Sequence, residues 1–336
     1  MVKKTLDKDL DRIVQIETQT LQATQTYKAL ALALLFLLVV WVFAASVIGA
    51  GEHSTLVIVA AIIGGYMALN IGANDVANNV GPAVGSKALT MMGALVIAAI
   101  FEAAGAILAG GDVVDTIKKG IIDPQGMANS QVFIWAMMSA LFAAAAWVNL
   151  ATWIGAPVST THAVVGGVLG AGVAAAGFDI VNWTTMSKIA ASWVISPFMG
   201  GAIAAAFLAF IKYYIIYQDD KVAASRKWVP LLVAIMAAVF SSYLIMKGLK
   251  KIWKPDAITI ASLSAAVFVA TYFIVKPIIA KASIGMENRN KSIRTLFTIP
   301  LICSAALLSF AHGANDVANA VGPLAAIVDA TTSGEI

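Results

Sequence analysis

Charge is scarce in this sequence, and cysteine nearly absent. Lys, Arg, Asp and Glu make up 12% of the 336 residues, about half the share of an ordinary soluble domain. The charges that exist gather at 1–28, 212–228, 247–256 and 281–294. The single cysteine, Cys303, excludes a disulfide within the chain. It sits in an apolar run and reads as a small core residue. No nucleophile–base set and no metal-ligand spacing is evident, so an enzyme is not expected and no catalytic residue is assigned. A cleavage site after the first apolar run is also lacking, and the mixed charges of residues 1–27 do not suit a signal peptide.

Apolar length is what the chain has. Hydrophobic residues are 60% of the total and mean hydropathy is +0.87. The segments between the charge clusters reach the roughly 20 residues needed to cross a bilayer. The fold class expected is all-α, a polytopic integral membrane protein. Its formal net charge of +4 says little about nucleic acid, which is not expected as a partner. Lys and Arg beside membrane spans set topology or touch anionic lipid. The basic loops at 212–228, 247–256 and 281–294 do not fix the orientation, because consecutive loops should alternate sides.

One undecapeptide occurs almost twice: GANDVANNVGP at Gly72–Pro82 and GANDVANAVGP at Gly313–Pro323. Only Asn79 and Ala320 differ. The copies stand too far apart for a solenoid and fit an internally duplicated protein. Each follows an apolar run, Thr55–Asn70 or Thr295–Phe310, that is short for a crossing. Either the motif completes the span or the helix breaks there, since Gly and Pro interrupt regular helix. A second break is expected at Gly155–Pro157, before the hydroxyls Ser159, Thr160 and Thr161. A kink is expected near Pro197 and Gly200–Gly201.

Ionisable residues inside spans are costly and usually functional. Asp75, Asp316 and Glu102 are in this position, accompanied by Asn74, Asn78, Asn315 and Asn319. Carboxylates without basic partners are either protonated or neutralised by a cation. Carboxylate and amide oxygens suit a hard ion such as Na⁺. Glu102 also suits a structural hydrogen bond as the neutral acid. Ser159, Thr160 and Thr161 open a helix whose unpaired N–H groups and dipole favour an anion, although plain helix capping uses the same residues. His162 reads as a packing residue. His312 precedes the second motif but matches Ile71 in the first, which argues against a symmetric ligand role. Broken helices in a duplicated membrane protein suggest a secondary transporter with its site at the repeat interface.

The two GANDVAN copies, WIGAPVSTTHAVVGG from Trp153, FEAAGAILAG from Phe101 and TIKKGII resemble the inorganic phosphate transporter family across nearly all of 55–325. That resemblance implies inverted-topology repeats with broken or re-entrant helices, and a multi-pass symporter of the inner or plasma membrane. Asn74, Asp75, Ser159, Thr160, Thr161, Asn315 and Asp316 would bind phosphate. Asn74, Asp75, Glu102, Asn315 and Asp316 would bind sodium, the coupling ion, with no organic cofactor. The implied division is a polar arm at 1–27, an added transmembrane helix at 28–54, a first repeat at 55–217, linking helices at 218–293 and the start of a second repeat at 294–336. The family pattern has a second P-x-S-T-T-H-like stretch, and this sequence has one, at Pro157–His162. A separate or missing C-terminal segment is therefore expected among the partners, with phosphate, sodium, membrane lipid and a second copy in a homodimer. The rival readings are proton-coupled uptake of phosphate or metal–phosphate, transport of another oxyanion, and a nontransporting phosphate-binding receptor or structural subunit.

Overall fold

The computed structural model describes residues 27–49, 54–248 and 253–333. The expected polar arm lies almost wholly outside them. Long apolar runs become helices because a bilayer interior offers the backbone no water to bond with. Eight of the described helices are long and apolar enough to cross a membrane. Helix α1 spans Tyr27–Ile48, α2 Ser54–Gly85, α3 Met91–Ala109 and α4 Gly111–Lys119. After them come α5 (Ser130–Trp153), α6 (Thr160–Ala176), α7 (Trp183–Ile211), α8 (Lys221–Tyr243), α9 (Ala257–Ala282), α10 (Asn290–Leu296) and α11 (Thr298–Ser333). The described residues contain no strand, only an isolated antiparallel bridge between Ile122 and Val181.

Both motif copies lie in uninterrupted helix. Of the two expectations, the one in which the motif completes the span is what is seen. Pro82 falls in the last turn of α2 and Pro323 inside α11, where each removes one hydrogen bond without ending the helix. At 1.5 Å per residue, α2 is about 48 Å and α11 about 54 Å long. Each exceeds the roughly 30 Å hydrocarbon layer, which favours tilt. Pro197 likewise sits within α7, which runs on as a π-helical turn at Lys212–Ile216.

Helices α2 and α11 are antiparallel. Gly64 of α2 faces Ala320 and Leu324 of α11, while Val80 and Ala83 cluster with Leu301 and Ala305. Alongside α11, α3 runs parallel and very close. A Cβ on Gly105 would lie 2.0 Å from the Phe310 carbonyl oxygen, and one on Gly313 would lie 2.1 Å from that of Glu102. Only glycine permits this approach.

The break after α5 is where the sequence placed it. Gly155 takes φ +71, a left-handed conformation open to glycine, and Pro157 keeps the chain extended before Ser159 caps α6. Helices α5 and α6 form a hairpin whose two ends meet on one side. Asp123 N–H donates to the Ile180 carbonyl at 2.8 Å, and Asn182 N–H to that of Ile121 at 2.9 Å. The open ends of this pair are therefore tied together on one side. The hairpin tip carries the hydroxyls into the packed interior, where Met67, Met137, Leu141, Val148 and Val164 form the core.

Candidate functional site

The site grows from the tip of the α5–α6 hairpin. Ser159 accepts the His162 N–H at 3.2 Å, so the first hydroxyl holds the helix start. Thr160 is the next residue and is 2% exposed. Its Oγ1 lies 2.9 Å from Asp75 Oδ2 and 2.8 Å from Asp316 Oδ2. The two motif aspartates, on antiparallel helices, thus meet at one hydroxyl. Asn319 donates from Nδ2 to Thr160 Oγ1 at 3.2 Å and to Thr161 Oγ1 at 3.1 Å.

This arrangement is short of positive charge. A hydroxyl has one hydrogen and can donate to one carboxylate at a time. The other Oδ2 then faces the hydroxyl oxygen, acceptor against acceptor. One ligand atom each from Asp75, His312 and Asp316 lie within 4.8 Å of one another. Two carboxylate charges at that separation repel by about 3–4 kcal/mol at an effective dielectric near 20. A proton or a cation between them relieves it. Asn319 Oδ1 is buried with no hydrogen-bond partner. Asp75 Oδ2, Asp316 Oδ2 and Thr160 Oγ1 converge as hard oxygens of the kind that suits Na⁺.

His312 stands at the centre. Its Nε2 is 3.3 Å from Asp316 Oδ2 and 3.8 Å from Asp75 Oδ2, and its Nδ1 is 3.4 Å from Glu102 Oε1. The repeat comparison disfavoured this residue as a symmetric ligand, and it is indeed asymmetric, since Ile71 packs in the apolar core. It is nonetheless the group that links all three acids. The same Glu102 oxygen accepts from Asn79 Nδ2 at 2.8 Å. Asn79 is the one motif position that differs between the copies, and Ala320 instead packs in the core. That difference was the available signal for the Asn79–Glu102 pair.

Other predicted residues divide. Asn74 donates to Thr152 Oγ1 at 2.9 Å, tying α2 to the end of α5. Asn315 is exposed and donates to the Oδ1 of neighbouring Asp316 at 2.9 Å. Asn78 is exposed. Ser159 is also exposed, and Thr161 half-buried. His162 stacks on Trp193 with ring centroids 4.0 Å apart, a packing role. Sequence reasoning did not single out Asn70, Asn149 or Thr152. Asn149 donates to Asn70 Oδ1 at 2.8 Å, extending the polar seam between α2 and α5.

Comparison with known proteins points to one family. The model of a family described as "Phosphate transporter family" matches residues 71–336. A Helicobacter pylori protein described as "Putative phosphate permease" is 50% identical over 319 residues, covering 95% of this chain and 60% of that protein. A Haemophilus influenzae protein of the same description is 36% identical over 293 residues, covering 84% of this chain and 68% of its own length. Among solved structures, "The sodium-dependent phosphate transporter" superposes with a TM-score of 0.79 at 35% identity. It covers 84% of this chain and 69% of its own. The chain thus spans about 60% of the length of the Helicobacter relative.

Proposed function

This chain belongs to the phosphate transporter family, and on that premise we propose that it carries inorganic phosphate across the membrane together with sodium ions, exposing one interior site alternately to the two sides. The family and the structural relative are transporters rather than enzymes, and the chain is an integral, multi-pass membrane protein. The observation that carries the reading is the meeting of Asp75 and Asp316 on the Thr160 hydroxyl, at the start of a helix that begins inside the protein.

The proposed chemistry makes and breaks no bond. Sodium binds among Asp75, Asp316 and Thr160, where its charge removes the repulsion between the carboxylates. Phosphate binds at the start of α6, where backbone N–H groups, the helix dipole and the hydroxyls of Ser159, Thr160 and Thr161 favour an anion. Asn74 and Asn315 add amide groups, and Glu102 serves a further cation. The cation must come first or together with the anion, because phosphate alone would face two carboxylates. Coupling follows from that electrostatic requirement. The sodium dependence named for the structural relative enters here as part of the proposal.

Labelled-phosphate uptake into liposomes tests the coupling ion. Replacing Na⁺ with choline at fixed pH should lower uptake at least ~10-fold, the effect of about 1.4 kcal/mol of lost coupling. Uptake unchanged in choline contradicts sodium coupling. His312 favours a second reading, proton coupling, because its imidazole reaches Asp75, Glu102 and Asp316 and offers a protonatable group among them. Uptake driven by a pH gradient without sodium selects it.

A further inference from the structure

Helices α8 and α9 form an antiparallel hairpin, so the charge clusters at their outer ends share one side. Within Lys212–Lys227 and Lys276–Arg294, nine lysines and arginines face three acids, Asp219, Asp220 and Glu287. Lys227 lies six residues into α8 and Lys276 six residues before the end of α9. Each is about 9 Å along its helix from that end, the depth from which a lysine snorkels to the headgroup layer.

Lys227 lines a cleft of about 210 Å³ together with Trp228, Leu231, Phe268 and Tyr272. Lys227 Nζ sits 4.9 Å from the Trp228 ring centroid, and Lys276 Nζ 5.4 Å from that of Tyr272. Trp228 is itself braced by Phe210 and Tyr214, at 5.1 and 5.0 Å between centroids. The cleft is smaller than the roughly 300–1,000 Å³ of an enclosed small-molecule pocket. Its floor of Leu231 and Phe268 lies deeper in the span than Lys227 and than Lys276, which stands over the lining ring of Tyr272.

We propose that this cleft binds an anionic phospholipid of the surrounding bilayer, its headgroup phosphate between Lys227 and Lys276 and the upper part of one acyl chain over Leu231 and Phe268. Charge complementarity and the layering of cation, aromatic and aliphatic groups select that occupant over an apolar protein helix. The site is separate from the Asp75–Asp316 centre and stands whether or not transport is sodium-coupled.

Native mass spectrometry of the purified full chain, titrated with phosphatidylglycerol or phosphatidylcholine of identical acyl chains, tests this. The first phosphatidylglycerol should bind more tightly than phosphatidylcholine. Lys227→Gln and Lys276→Gln should each weaken it roughly 5-fold, the scale of one basic residue at an anionic membrane surface. The double variant should approach the phosphatidylcholine affinity, and Lys→Arg replacements should retain binding. Lys188→Gln with Lys254→Gln, exposed residues toward the other ends of the spans, should leave it unchanged. Helicity and phosphatidylcholine binding, read on the same samples, separate a lost site from a misfolded protein. Equal affinity for the two lipids overturns the proposal, as does undiminished preference in the double Gln variant. Displacement of phosphatidylglycerol by inorganic phosphate overturns it in favour of a free-anion site.

Discussion

Thr160 can give its one hydrogen to Asp75 or to Asp316, and this single deficiency organises the chemistry around it. Removing either charge should remove the need for a cation. Asp75→Asn and Asp316→Asn are expected to insert and fold, yet to lose sodium-dependent phosphate uptake at least ~10-fold, a difference of about 1.4 kcal/mol. Uptake in sodium and choline, with protein in the membrane quantified on blots, checks both halves. Asn79→Ala deprives the Glu102 carboxyl of its amide donor, at a cost of about 1.5–3 kcal/mol if that acid is charged. Thermal unfolding in detergent should register it, whereas exposed Asn78→Ala should change little. The aspartates were legible in the sequence because two copies of one polar motif inside apolar runs demand a reason. His312 was not, since repeat symmetry argues against it. Its importance is a matter of distance to three acids on different helices, and no sequence pattern encodes that.

At the scale of the helix, the hairpin break and the continuity of the motif helices have different physical origins. At Gly155–Pro157 a left-handed glycine and a proline act together, and Ser159 supplies a cap for the next helix. The sequence announces all three. In GANDVAN the glycines and proline suggested a break as readily as a helix. Without water to satisfy freed groups, the lipid-embedded backbone stays helical, and one proline costs only one bond. Nor are the two motif glycines equivalent. A Cβ at Gly313 would collide with the Glu102 backbone, and one at Gly72 would meet nothing within 4 Å. Gly313→Ala should therefore push α3 from α11, displacing Glu102 from His312 and abolishing monodisperse folded protein or its phosphate binding. Gly72→Ala should behave as the parent. Size-exclusion profiles and phosphate titrations of the two variants distinguish these outcomes.

For the whole molecule, the helix arrangement sorts the basic loops onto two sides. The basic loops at 212–228 and 281–294 lie at the same ends of the α8–α9 hairpin, and Lys247 and Lys254 lie at the other. Arg294 donates to the carbonyl of Ser86, so the end of α2 joins the basic side. If that side is cytoplasmic, as the bias of positive residues predicts, the open ends of the α5–α6 hairpin lie on the opposite face. In a Cys303→Ala background, Lys254→Cys should react with an impermeant maleimide applied to whole cells, and Lys291→Cys should react only after permeabilisation. The reverse pattern inverts the molecule. Above orientation stands the claim that cation and anion share one electrostatic site. Phosphate binding to the purified chain, titrated in sodium and then in choline, measures that coupling most directly. Reciprocity requires phosphate to raise sodium affinity by the same factor. The expected result is phosphate affinity at least ~10-fold higher in sodium, with the difference lost in Asp316→Asn. Equal phosphate affinity in the two salts would contradict it.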